Sequence, residues 1–135
     1  MTRSRIGVRL LSIAAALTCC VSLSAWAETQ SFVGVWKGIS VCQIKDSPCR
    51  DEGAVYTVKK GTAADSFEVS GNKVVDGRET FMGLLQCRLG SQSDSLICQQ
   101  GEDAVWMWKL QGDSMSGTLT YRGQLFRKIS LTRAK

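Results

Sequence analysis

Four cysteines in a chain without histidine define the chemistry open to this sequence. Cys42, Cys49, Cys87 and Cys98 follow an apolar leader that holds two more, Cys19 and Cys20. With no histidine among the 135 residues, a Ser-His or Cys-His nucleophile pair is impossible. Mixed Cys/His zinc sites lose their usual ligand for the same reason, so neither a metal nor a cofactor is expected. The four later cysteines read as two disulfides, the use an exported chain makes of an even cysteine count. Nearest-neighbour pairing fits best. Cys42 and Cys49 bracket the turn residues Asp46-Ser47-Pro48. Cys87 and Cys98 face each other if the segments flanking residues 90–95 form a hairpin, which also sets Leu89 opposite Leu96.

The remaining groups suit binding rather than bond making. Trp106 and Trp108 share one face of a short segment with Ala104 and Leu110, while Val105 and Met107 make its other face apolar as well. Whichever face stays outside the core is available to a ligand or partner. A disulfide-pinned loop displaying Asp46, Arg50, Asp51 and Glu52 is preorganised, which lowers the entropic cost of binding. Nothing in the spacing of its carboxylates sets them across a substrate, and no glycine-rich phosphate loop enters a helix. The expectation is a protein that is not an enzyme, with contacts at Trp106, Trp108, Asp46, Arg50 and Asp51.

Positioning these residues falls to strands. No stretch holds a helical period; apolar residues alternate or cluster in short runs broken by glycine. Strands are predicted over 32–42, 54–60, 67–75, 78–89, 96–99, 104–110, 114–121 and 125–133. Asp76-Gly77 is the strongest hairpin signal, a two-residue turn. An unbroken register there pairs Phe67 with Gln86 and mixes the faces, so a bulge is expected near Gly71 or Gly83. Eight strands in sequence with short turns manage their edges best as a closed, antiparallel up-and-down barrel. Such a barrel is filled by side chains or holds one small ligand. Trp36 is expected to close one end, with the guanidinium of Arg127 or Arg133 stacked on it where the first and last strands meet.

Residues 1–27 read as a secretory signal: a basic start at Arg3, Arg5 and Arg9, an apolar stretch from Leu10 to Leu23, and Ala25-Trp26-Ala27 as the cleavage site. The chain's net charge of +5 falls by those three arginines on cleavage, leaving no basic footprint for nucleic acid. Residues 28–135 then form one domain, periplasmic or secreted, with no transmembrane segment, and are expected to be monomeric.

Gly34-Val35-Trp36 in the first strand, with a basic residue late in the last, resembles the calycin pattern of lipocalins and their relatives. The T-D-Y motif of lipocalins is missing. Five segments, 36–42, 46–49, 72–77, 116–120 and 125–129, look like those of a family of short exported bacterial proteins. That resemblance implies a fold and a location and brings no activity. Together these readings point to an exported binding protein with a small apolar ligand. The alternatives are an inhibitor of a secreted hydrolase and a structural envelope protein.

Overall fold

The computed structural model describes residues 31–135; the expected signal segment, 1–27, lies outside the described residues. Eight strands follow one another: β1 (Gly34–Cys42), β2 (Glu52–Lys60), β3 (Ser66–Val75), β4 (Arg78–Leu89), β5 (Ser95–Gln100), β6 (Ala104–Gln111), β7 (Ser114–Tyr121) and β8 (Gln124–Arg133). Each pairs antiparallel with the next, and β8 returns to β1, so the sheet closes into an all-β, eight-stranded barrel. Closure removes the two outer edges that an open meander would leave unpaired.

The β3–β4 hairpin turns at Asp76 and Gly77, both at positive φ (51° and 73°), the backbone of a two-residue type I′ turn. Pairing runs regularly from Val75↔Arg78 to Asn72↔Phe81, then slips so that Gly71 faces Gly83 and Phe67 faces Cys87. The extra residue is Met82. This bulge returns Phe67 and Cys87 to the interior, as the pattern of apolar residues requires.

A second slip, between Leu119 and Thr120 on β7, was not legible beforehand. Arg127 faces Leu119, but Leu125 faces Thr120, so Phe126 is the unpaired residue. Unbroken alternation would put Leu125 on the inward face with Arg127 and Ile129; the slip sets it on the outer face with Thr120.

Antiparallel succession sorts the connections by end. The base gathers the start of β1, the end of β8 and the β2–β3, β4–β5 and β6–β7 turns. At the mouth lie the Cys42–Cys49 loop and the β3–β4, β5–β6 and β7–β8 turns. The core fills the base and middle: Trp36, Val58, Val69, Leu96, Met115 and Ile129 are almost wholly shielded from solvent. Phe32 and Phe67 pack edge to face across the base, 6.0 Å between centroids.

Both nearest-neighbour disulfides are present, Cys42–Cys49 and Cys87–Cys98. The second joins directly opposed residues and has a particular place in the sheet. β4 pairs with β5 only through Cys87↔Cys98, Arg88↔Ile97 and Leu89↔Leu96. Above the bridge, Arg78–Gln86 has β3 on one side and, among the described residues, no ladder on the other. The barrel is therefore zipped at its base and parted along one seam toward its mouth.

Candidate functional site

Alternation along β2 aims Glu52, Ala54, Tyr56 and Val58 at the interior in turn. Val58 joins the packed base, and the other three open onto a cavity of about 630 Å³ at the mouth. Two glycines set the aromatic side chains beneath it. Tyr56 faces Gly71 across β2–β3, and a Cβ on Gly71 would come within 2.9 Å of the ring. Trp108 faces Gly117 across β6–β7, where a Cβ would run into the six-membered ring of the indole. Each ring lies over a strand that lacks a side chain at that point.

The rings also pack on one another. Tyr56 meets Trp108 edge to face at 4.8 Å, and Trp106 stacks on Trp108 at 5.9 Å with the planes 10° apart. Strand β6 thus turns its tryptophan face inward and leaves Met107 outside, 51% exposed. Trp106 is in the cavity wall, with Leu85, Met82, Leu119 and Phe126. Trp108 is buried under Trp106 and Tyr56 and supports the cavity from below. Its indole N–H is buried without an acceptor in this cluster.

The disulfide-pinned loop forms one rim of the cavity through Pro48, Cys49, Arg50 and Asp51. Its charged residues hold the loop together. Asp51 Oδ1 accepts the Cys42 backbone N–H at 2.9 Å, across the neck of the loop. Arg50 Nη1 donates to the carbonyl oxygens of Ser47 (2.7 Å) and Cys49 (2.9 Å). Asp46 takes a positive φ of 55° at the exposed part of the loop and is not in the cavity wall.

The two arginines of β8 part company. Arg133 lies over Trp36 at the base, its guanidinium carbon 4.2 Å from the ring centroid. It also donates to the carbonyl oxygens of Ser31 (2.6 Å) and Val33 (2.9 Å). Trp36 is fully buried, and its indole N–H donates to the Phe32 carbonyl at 2.8 Å. Arg127 sits at the other end, so it has no part in the Trp36 stack. Its Nη1 donates to Ser40 Oγ and the Arg50 carbonyl, both at 3.1 Å, and lies 3.6 Å from Glu52 Oε1. This pair is mostly shielded from solvent and forms the polar side of the cavity. Lys73 also reaches the wall, opposite Ala54, and forms no ion pair among the described residues.

Burial pushes the Tyr56 hydroxyl up to about 12; the Arg127 charge pulls it down and Glu52 adds to the rise. It stays neutral at any physiological pH, so it keeps a proton to donate. Apolar walls on an aromatic floor that includes the Tyr56 phenol, with the Arg127–Glu52 pair and Lys73 as polar groups, can desolvate a small molecule and orient a polar end.

No family model matches the sequence. No curated protein matches it either. Among solved structures, the chain is similar to a de novo designed fluorescence-activating β-barrel: 17% identity, 76% of this chain and 94% of that one covered, TM-score 0.49.

The sequence reading missed Tyr56, Lys73, Met82 and Phe126 as cavity residues. Tyr56 was findable, since Ala54, Tyr56 and Val58 alternate on one predicted strand. Phe126 and Met82 reach the cavity at bulges, whose exact position no local pattern marks.

Proposed function

We propose that the protein is an exported, non-enzymatic binding protein that takes a small, largely apolar molecule into the mouth of its barrel. The observation that carries this reading is the cavity of about 630 Å³ above a packed base, walled by Trp106, Leu85, Leu119 and Phe126. That volume falls within the roughly 300–1,000 Å³ usual for small-molecule sites. Glycines in facing strands hold the aromatic floor in place, so the site is formed before a ligand arrives and little ordering cost opposes binding. Export accords with two disulfides that pin the cavity rim and the seam beside it.

An inhibitor of a secreted hydrolase has less behind it. The loop such an inhibitor would present spends Arg50 and Asp51 on its own backbone, leaving Lys45 and Asp46 as its outward charges.

Native mass spectrometry of the protein purified from its own cell envelope tests the reading. Extra small-molecule mass is expected on the wild-type chain and is reduced in Leu119→Lys, which places a charge in the cavity wall. Bare protein in repeated preparations, together with unchanged tryptophan emission on titration with apolar probes, would overturn it.

A further inference from the structure

The parted seam leaves a strand edge that is apolar as well as unpaired. Along Arg78–Gln86, alternate backbone N–H and C=O groups point away from β3 with no ladder partner among the described residues. Phe81 (64% exposed) and Leu84 (51%) stand on the outer face of this edge, with Met82 (58%) between them. Proteins ordinarily blunt such an edge with charge, proline or a covering segment. Here Phe81, Met82, Gly83 and Leu84 run together with no charge among them.

The bulge makes this edge complementary to itself. Phe81 faces Asn72 and Leu84 faces Ser70, both outward positions of β3, although three residues separate them. In an unbroken strand, residues an odd number apart point to opposite faces. Two copies of β4 laid antiparallel about a two-fold axis can therefore set Phe81 of each against Leu84 of the other with every side chain on its proper face. The same register sets Glu79 opposite Gln86 and brings Glu79 diagonally to Arg88 of the other copy, within reach of long side chains. Both residues are exposed, and neither forms an ion pair among the described residues. On its outer face strand β4 carries Glu79 near one end and Arg88 near the other, with Arg78 on the opposite face, so antiparallel pairing of two copies matches opposite charges twice.

We propose that the free edge of β4 is an isologous dimer interface, occupied by β4 of a second copy of this chain. The pairing continues the sheet from one barrel into the next and covers Phe81 and Leu84 in both. This proposal replaces the monomer expected from the sequence.

Sedimentation equilibrium on the purified, oxidised protein over about 1–200 μM tests this, a range that captures weak self-association. A monomer–dimer equilibrium is expected. Leu84→Lys and, separately, Glu79→Arg should each weaken it at least about tenfold, the second by setting two arginines together. The double variant Glu79→Arg, Arg88→Glu restores the pairing of charges and should recover most of the affinity. Circular dichroism checks that each variant is folded. A wild-type monomer throughout the range overturns the proposal, as does a dimer indifferent to Leu84→Lys or a charge reversal that the second reversal does not rescue.

Discussion

Cys87 and Cys98 face each other on the last rung that β4 and β5 share before the two strands part. The bridge locks the barrel at the point where backbone pairing stops. Its eleven-residue separation corresponds to roughly 2.5–3 kcal/mol by loop entropy. The double variant Cys87→Ser, Cys98→Ser should lose about that much in urea unfolding. Amide exchange should quicken first at Leu85–Leu89 and Leu96–Gln99, because the parting of the seam can then run toward the base. Uniform loss of protection around the whole barrel would contradict this account of the bridge.

Arg133 over Trp36 closes the base, where the first and last strands meet. Arg133→Lys keeps the charge but loses the flat stack and the forked donation to Ser31 and Val33. A cost of about 1–2 kcal/mol is expected in thermal or urea unfolding. Asp113 also pairs with Arg133, yet its side chain is 87% exposed, so Asp113→Ala should cost under about 0.5 kcal/mol.

Gly117 is the space that the Trp108 ring occupies. Gly117→Ala forces the indole to move in a packed cluster, at a cost of about 1–3 kcal/mol. Because Trp106 stacks on Trp108, tryptophan emission and apolar-probe affinity should change together. Gly112→Ala, at a positive-φ turn with open space around it, should change stability without altering either signal.

Tyr56 makes stability depend on pH in the alkaline range. Its hydroxyl is raised from 10.0 to about 12 in the folded protein, chiefly by burial. Between those values the unfolded chain has released this proton and the folded one has kept it, so stability falls as pH rises. The slope from this group is about 1.4 kcal/mol per pH unit, and its contribution is level below pH 10. Unfolding measured from pH 8 to 11.5 should show that fall in the wild type and a shallower one in Tyr56→Phe.

Local chemistry carried much of this fold into the sequence. Asp76-Gly77 demanded a two-residue hairpin, and the conflict between Phe67 and Gln86 demanded a bulge near Gly71 or Gly83, where it lies. The disulfide pairs followed from turn residues and from the facing of Leu89 with Leu96. Part of the site was visible in the same way: Trp106 and the Cys42–Cys49 loop come together at one cavity, with Trp108 underneath. Asp46 does not join them, because the same charge pattern suits a cavity rim and a solvated loop.

What the sequence by itself determined, then, is the strand order and the short-range pairing, since turns, alternation and bulges depend on neighbours in the chain. Only the tertiary structure decided which face of β6 looks inward, because that depends on Gly117 leaving room for the Trp108 ring and on Tyr56 packing against it from another strand. It also decided that Arg133 and not Arg127 meets Trp36, a matter of which end of the closed barrel each reaches. The parted seam between β4 and β5 belongs to the same class. Strand lengths were legible, but whether two strands stay paired along their full length is settled by how all eight close together.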